Sequence, residues 1–259
     1  MLDKTIIAKR NEVLLKKSVI PISQLETSGL FGNQTVPLSR NLRASTSGII
    51  AEHKRRSPSK GEINYNLSVE EVVKNYESAG ACGISVLTDG KHFGGSLDDL
   101  LLARASVNVP LLRKEFIIDE YQILEAKAFG ADVILLIASV LTREEIKNLS
   151  ELAQSLNLEV LLEIHNEEEL NKAIMPSLNL IGVNNRNLKT FEVNLEISTK
   201  LASKIPNDFI KISESGIESI ASVKLLQKFD YQGFLIGELF MKTNYPKSNV
   251  KDFISKIAL

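Results

Sequence analysis

The chain has 259 residues, 44% of them hydrophobic, and a formal net charge of −1. This length suits one barrel-sized domain or two small ones, and the balanced charge argues against a nucleic-acid or membrane partner. Cys82 is the only cysteine, which excludes an intramolecular disulfide and favours a reducing, cytoplasmic location. Charges at Lys4 and Lys9 interrupt the N-terminus, so no signal peptide is expected there.

The segment 1–47 is interpreted as an N-terminal helical extension. Over 3–17, two apolar pairs, Ile6-Ile7 and Val13-Leu14, lie seven residues apart while lysines and arginines occupy other faces, a pattern typical of an amphipathic helix. Pro21 ends this helix. The rest of the extension is interpreted as a connector that packs against the body of the protein.

From residue 48 onward, short apolar strands alternate with longer helical patterns. Helix starts are marked by N-capping residues, and helix ends by glycines that tolerate a left-handed conformation. The N-caps are Ser68, Asp119, Thr142 and Asn166, and the glycines are Gly80 and Gly130. The eight predicted strands are 49–52, 84–87, 111–114, 133–137, 160–163, 180–183, 209–212 and 233–236.

This alternation predicts an α/β fold in which 48–259 form a single (β/α)8 TIM barrel, with 1–259 as one domain. A doubly wound open sheet is the alternative fold. In a closed barrel, the C-terminal ends of the strands meet at one mouth, where the active sites of such enzymes lie.

Charged and polar residues follow six of the predicted strands. A single charge at a strand end is ordinarily a solvated loop residue, but a ring of mixed charge at one mouth is typical of an acid–base active site. Glu52 and Lys54 are two residues apart, so both should point into the barrel while His53 faces the helices. Lys114 and Glu163 are expected to face each other across the mouth.

The turns after the last two strands predict an anion site. Ser215-Gly216 follows one strand and Gly237-Glu238 follows the next. Glycines at these positions let backbone N–H groups approach a phosphate, a recurrent feature of such barrels. The sequence therefore predicts an enzyme acting on a small phosphorylated substrate.

Five motifs resemble the indole-3-glycerol phosphate synthase family and occur in that family's order along the chain. They are IIAEHKRRSPSKG at 49–61, SVLTD at 85–89, LRKEFIID at 112–119, GVNNRNL at 182–188 and SESGI at 213–217. The resemblance implies a barrel whose N-terminal extension lies over the mouth. It also implies a carboxy-lyase of L-tryptophan biosynthesis that closes the ring of 1-(2-carboxyphenylamino)-1-deoxyribulose 5-phosphate, with loss of carbon dioxide and water.

The resemblance also implies residue roles. Lys114 would be the general acid, Glu163 the base in dehydration, and Lys54, paired with Glu52, a substrate-binding residue and a second candidate acid. The implied catalytic set is Glu52, Lys54, Lys114, Glu163, Asn184 and Ser215. The implied substrate-binding set is Ser57, Lys60, Phe116, Arg186, Leu188 and Glu214. The implied phosphate-binding set is Lys54, Ser215, Gly216, Gly237 and Glu238.

We expect neither metal nor cofactor, because the three histidines lack ligand spacing. The expected assembly is a monomer or a weak homodimer. His53 and Leu239-Phe240 depart from the family pattern; His53 is interpreted as structural, and Leu239-Phe240 as altered packing near the phosphate turn. An isomerase barrel, a Schiff-base aldolase and a non-catalytic ligand sensor are the rival functions.

Overall fold

Eight parallel strands close into a barrel in the computed structural model, which describes residues 2–188 and 190–257. The strands are β1 (Ile49–His53), β2 (Arg56–Ser57), β3 (Gly61–Glu62), β4 (Gly83–Leu87), β5 (Leu111–Lys114), β6 (Val133–Ile137), β7 (Glu159–Ile164), β8 (Leu180–Asn184), β9 (Ile210–Glu214) and β10 (Gly233–Ile236). The order around the barrel is β1-β10-β9-β8-β7-β6-β5-β4, and β2 and β3 pair separately as an antiparallel hairpin. The predicted closed barrel is confirmed.

Helices surround the barrel and precede it. Most of them alternate with its strands, as right-handed crossovers between parallel strands require. They are α1 (Leu2–Val19), α2 (Ile22–Glu26), α3 (Leu38–Ala44), α4 (Val69–Ser78), α5 (Gly90–Phe93), α6 (Leu97–Ser106), α7 (Glu120–Ala128), α8 (Arg143–Ser155), α9 (Glu167–Ala173), α10 (Glu196–Leu201), α11 (Ile220–Gln227), α12 (Glu238–Met241) and α13 (Pro246–Ile257), with a 3-10 turn at Ala202–Lys204.

Local capping chemistry explains where several helices begin and end. The four predicted N-cap side chains each accept a hydrogen bond from a backbone N–H of the following turn. At Thr142 the capping box with Glu145 is complete. Gly80 and Gly130 have φ of 95° and 83°, as expected of residues that end a helix in the left-handed conformation.

The barrel has a filled interior and a second apolar layer beneath the helices. Alternate strand residues point to opposite faces, so the neighbours Ile49 and Ile50 belong to different layers. Ile50 packs in the interior with Leu112, Leu161 and Ile212. A cavity lies at the mouth, where polar residues replace the interior aliphatic ones.

The extension reaches both ends of the barrel. α3 closes the bottom, where Leu38 and Leu42 join the interior cluster and Ser39 binds the Glu159 carboxylate through its backbone and hydroxyl. The beginning of α1 lies at the mouth, since the Oγ1 atom of Thr5 is 3.1 Å from Nε2 of His92. Only this first part of the extension has the position that the resemblance implied.

The buried face of α1 differs from the predicted one. Ile7 and Leu14 are 61% and 63% exposed, whereas Thr5, Lys9 and Val13 are buried. These three residues are spaced by four, so they share one helical face. The prediction that Ile7 and Leu14 lie on the buried face of this helix is therefore wrong. Lys9 is buried there instead and contacts the barrel. No helix within residues 2–188 and 190–257 is both long and apolar enough to span a membrane.

Candidate active site

A cavity of about 370 Å³ opens at the C-terminal ends of the strands. This volume is large enough for a small phosphorylated molecule. The cavity lining includes nearly all of the predicted site residues: Glu52, Lys54, Ser57, Lys114, Phe116, Glu163, Asn184, Arg186, Leu188, Glu214, Ser215, Gly216, Gly237 and Glu238. Lys60 is not among the lining residues; it lies on the β2–β3 hairpin, with Nζ 3.6 Å from Oε1 of Glu238.

Glu52 and Lys54 form an ion pair at the end of β1. Their Oε1 and Nζ atoms are 2.7 Å apart, and both side chains point inward as their spacing predicted. Burial opposes ionisation of Glu52, but the charges of Lys54 and Lys114 outweigh it and lower the pKa of this carboxyl. Glu52 is therefore an ionised partner that holds Lys54 at the cavity.

Lys114 lies between two carboxylates, Glu163 from β7 and Glu214 from β9. Its Nζ is 3.5 Å from Oε2 of Glu163, and it also donates a hydrogen bond to Oε2 of Glu214. Burial opposes the charge of Lys114, but the charges of Glu214, Glu163 and Glu52 raise its pKa well above the ordinary value. Lys114 is therefore a cation that faces the cavity and can donate a proton to a bound oxygen.

Glu214 contacts Lys114 directly, whereas the sequence predicted it only as a substrate-binding residue. Burial, together with the nearby charges of Glu163 and Glu52, raises its pKa to about 7 against the opposing effect of Lys114. Its Oε1 atom has no hydrogen-bond partner among the described residues. Gly182 makes room for the carboxyl, since a Cβ at that position would lie 2.4 Å from Oε1. Glu214 can therefore exchange a proton near neutral pH.

Asn184 ends β8, Asn185 follows it, and the two side chains have different contacts. The Oδ1 atom of Asn184 accepts a hydrogen bond from the backbone N–H of Arg186, and both side chains line the cavity. Asn185 is fully buried and donates to Oγ of Ser213 and to the carbonyls of Glu214 and Ser215. Asn185 thus fixes the turn after β9, a role that the motif did not reveal.

The two predicted phosphate turns meet on one side of the cavity. Ser215 and Gly216 both have positive φ, 66° and 76°, and a Cβ at Gly216 would lie 2.3 Å from a methyl carbon of Val193. Gly237 precedes the short helix α12, and Lys242 follows that helix, with its Nζ 3.0 Å from Oε1 of Glu238. Lys242 also lines the cavity and adds a cation that sequence reasoning missed.

An aromatic wall lies on the other side. Phe116 is the predicted member, and its ring packs 6.3 Å from that of Phe93 and 6.4 Å from that of His92. Both additional rings come from α5, which begins at the N-cap Asp89. No periodic or spacing signal placed α5 at the mouth, because its position depends on the path of the loop after β4.

The residues that depart from the family pattern lie mainly outside the cavity. His53 is buried in the helix layer, where burial and the charge of Arg55 lower its pKa to about 4. Its Nε2 lacks a hydrogen-bond partner among the described residues. Phe240 packs edge-on against Tyr76 and Phe253, whereas Leu239 lines the cavity.

The structural likenesses establish the fold. Two solved structures from Pyrococcus furiosus each cover 82% of this chain. A mutant tryptophan synthase alpha-subunit matches with a TM-score of 0.62 and 14% sequence identity, over 97% of its own length. Thiamine phosphate pyrophosphorylase matches with a TM-score of 0.61 and 15% sequence identity, over 96% of its own length. Barrel and cavity together define the chain as a (β/α)8-barrel protein with its site at the C-terminal mouth.

The sequence comparisons establish the family. The family model for indole-3-glycerol phosphate synthase matches residues 2–253. An indole-3-glycerol phosphate synthase of Bacteroides thetaiotaomicron is 49% identical over 99% of this chain and 98% of the relative. One of Aliarcobacter butzleri is 41% identical over 99% of this chain and 97% of the relative. The chain belongs to the indole-3-glycerol phosphate synthase family and is a carboxy-lyase of tryptophan biosynthesis.

Proposed function

We propose that this chain closes the indole ring of 1-(2-carboxyphenylamino)-1-deoxyribulose 5-phosphate by lysine–glutamate acid–base catalysis. The observation that carries this proposal is the position of Lys114, whose ammonium group faces the cavity between Glu163 and Glu214. The predicted isomerase and aldolase alternatives lose support, because the family match spans nearly the whole chain.

The first bond to form joins the aromatic carbon that bears the carboxylate to the substrate's ketone carbon. The aromatic ring supplies the electron pair of this new bond, and the π electrons of the carbonyl move to its oxygen. Lys114 donates a proton to that oxygen, which becomes a hydroxyl group. Carbon dioxide then leaves, and the electrons of the broken carbon–carbon bond restore the aromatic ring. Fixed charges near the reacting atoms stabilise the intermediate, because they require no reorganisation.

Dehydration completes the indole. Glu163 takes a proton from the carbon next to the ring nitrogen, while the hydroxyl leaves as water after protonation by a lysine. Lys54 is the second candidate acid, held by Glu52 at 2.7 Å. Glu214 returns Lys114 to its charged form, a role that its raised pKa of about 7 supports.

The remaining site residues bind and orient the substrate. Asn184 and Arg186 face its hydroxyl groups and carboxylate, and Phe116 and Leu188 contact its aromatic ring. Ser57 and Lys60 belong to the β2–β3 hairpin that borders the opening. The phosphate is held by Lys54 and by the turns at Ser215, Gly216, Gly237 and the backbone of Glu238, because backbone N–H groups at such turns suit an anion.

We further propose that the extension 1–47 and the barrel 48–259 form one domain, working in the cytoplasm as a monomer or a weak homodimer without a cofactor. Contacts of α1 at the mouth and of α3 at the bottom support one folding unit. Bacterial biosynthetic relatives that match nearly the whole chain support the location.

The test is indole fluorescence after purified protein is mixed with the substrate, without added metal. A rise that depends on enzyme concentration is the expected result. Folded protein that binds the substrate but gives no rise would contradict the proposal and point to an isomerase or a binding protein. Borohydride treatment during turnover should leave the protein unmodified, because a lysine that acts as an acid forms no imine.

A further inference from the structure

His165 lies directly behind Glu163 and outside the residues assigned above. It follows β7, two positions after Glu163, so both side chains point to the same side of the chain. The Nε2 atom of His165 is 3.5 Å from Oε1 of Glu163, whereas Lys114 lies 3.5 Å from the other oxygen, Oε2. The Glu163 carboxylate therefore lies between an ammonium group and an imidazole.

A second carboxylate anchors the imidazole from behind. Oε2 of Glu169 lies 3.1 Å from Nδ1 of His165 and accepts a hydrogen bond from the His165 backbone N–H at 2.8 Å. Asn166 donates to the other oxygen of Glu169, and its own side chain accepts from the Glu169 N–H. Because this carboxylate is held by several donors at the start of α9, it fixes Nδ1 as the protonated nitrogen and sets the plane of the ring.

The opposite ring nitrogen has no such partner. Nε2 of His165 is buried and makes no hydrogen bond with any described residue, and Oε1 of Glu163 lies 3.5 Å from it. A buried polar atom without a partner is costly, so its place beside the proposed base needs an explanation. A small rotation of the Glu163 carboxyl would close the 3.5 Å separation into a hydrogen bond.

The charges around His165 favour a protonated ring. Burial alone would oppose protonation, but the hydrogen bond to Glu169 and the charges of Glu163, Glu169 and Glu214 raise the pKa of His165. Two cations oppose them: Lys114, from β5, contacts Glu163 and Glu214, and Lys172, on α9, acts on Glu169. The hydrogen bond to Glu169 and the charges of the carboxylates outweigh these two cations, so a charged imidazole is stabilised.

We propose that His165 is the positioning residue for Glu163: anchored through Nδ1 by Glu169, it presents Nε2–H to Oε1 of Glu163 and keeps the other oxygen directed at Lys114 and the substrate. This inference rests on the proposed role of Glu163 as the base. The series of contacts Glu169–His165–Glu163 then orients the proton acceptor, much as a carboxylate orients a catalytic imidazole in other enzymes.

The kinetic test compares two substitutions of similar size. His165→Leu removes both ring nitrogens, and His165→Gln retains one amide donor that reaches toward Glu163. We expect His165→Leu to lower kcat about 10- to 100-fold, the effect of losing one hydrogen bond to a charged group, with little change in KM. His165→Gln should recover much of that loss, and the pH dependence of kcat should shift in His165→Leu.

A spectroscopic test separates orientation from stability. The chain has only three histidines, so the ¹⁵N ring signals of His165 can be assigned by substitution. In the wild-type protein the ¹⁵N signals of His165 should titrate with a pKa above that of an ordinary imidazole, and Glu169→Gln should lower that pKa. The matched control is Glu145→Gln, which alters the equivalent capping glutamate of α8 and should leave the His165 signals and kcat unchanged.

The outcomes distinguish this inference from the proposed function. Wild-type protein without ring closure, or Glu163→Gln with full activity, would overturn the proposed function and this inference with it. Ring closure in the wild type and its loss in Glu163→Gln, together with wild-type kcat in His165→Leu, would overturn the role of His165 alone. Equal losses in the Leu and Gln variants, accompanied by lower melting temperatures, would also overturn it and assign His165 a purely structural role.

Discussion

The Nζ atom of Lys114 lies 3.5 Å from Oε2 of Glu163, although β5 and β7 are separated by β6 in the barrel wall. This contact across the mouth brings a cation and a carboxylate to the same face of the cavity. A proton donor and a proton acceptor can therefore both reach one small substrate, as the proposed reaction requires.

Lys114→Ala should reduce ring closure to near the background rate while the protein stays folded. The substitution removes the proposed acid and leaves Glu163 and Glu214 without their shared cation, and these carboxyls can take up protons rather than remain charged. Steady-state fluorescence and circular dichroism are the measurements. Lys211→Ala, which alters a buried strand lysine outside the cavity lining, is the control, and wild-type turnover in the Lys114 variant would remove Lys114 from the mechanism.

Glu163→Gln should lower kcat by about 10²- to 10⁴-fold, the usual contribution of a positioned general base. The amide has nearly the same shape, so substrate affinity should change little. The pH–rate profile of the variant should lose the limb that depends on the base. An unchanged profile would argue against Glu163 as the proton acceptor, even if the rate were lower.

Glu214→Gln should change how stability depends on pH. The pKa of Glu214 is raised from 4.5 to about 7 in the folded protein. The folded state thus binds more protons than the unfolded state between these values, and the contribution of Glu214 to stability falls as pH rises through that range. Over this interval the wild type should therefore lose stability relative to Glu214→Gln, by about 3 kcal/mol at most.

Urea unfolding at several pH values measures this difference. Glu145→Gln serves as a control of opposite sign, because hydrogen bonding by Thr142 lowers the pKa of Glu145. The wild type should gain stability relative to that variant as pH rises through the ordinary carboxyl range. A wild type that gained stability relative to Glu214→Gln over the same pH interval would contradict the raised pKa.

Lys9→Met should destabilise the protein and weaken substrate binding. Lys9 is buried and lies 3.1 Å from both Asp89 and Glu115. Removing one partner of a buried ion pair typically costs about 3–5 kcal/mol, because the remaining charges lack compensation. Asp89 caps α5 and Glu115 accepts from the backbone of Phe116, so the aromatic wall should shift and KM should rise.

The measurements for Lys9→Met are thermal unfolding and steady-state kinetics. Lys16→Met is the matched control on the same helix, since Lys16 is 30% exposed at its side chain and contacts Glu125 away from the cavity. It should change stability less and leave KM near the wild-type value. Equal effects of both variants would show that α1 does not position the aromatic wall.

Gly237→Ala should lower kcat/KM by displacing Glu52. A Cβ at this position would lie 2.5 Å from Oε1 and 3.1 Å from Cβ of Glu52, distances that force the carboxylate away from Lys54. We expect a loss of about ten-fold, equivalent to about 1.4 kcal/mol. Gly32→Ala is the control, since a Cβ there meets no atom within 4 Å. Wild-type kcat/KM in Gly237→Ala would mean that the Glu52–Lys54 geometry is not critical.

Local patterns in the sequence determined much of the fold and of the site. Strand positions and N-caps such as Thr142 follow from periodicity and capping, which act over a few residues. The inward direction of Glu52 and Lys54 follows from the alternation of side chains along a strand. The carboxyl ends of the predicted strands then placed Lys114 and Glu163 at one mouth.

Only the tertiary structure decided which of these residues touch. The burial of Lys9, the exposure of Ile7 on the same helix and the absence of Lys60 from the cavity lining depend on how the extension and the hairpin pack on the barrel. The raised pKa of Glu214 likewise needs several strands to enclose one carboxyl. Periodicity and capping report on neighbours along the chain, whereas burial and charge pairing arise between segments that meet only when the barrel closes.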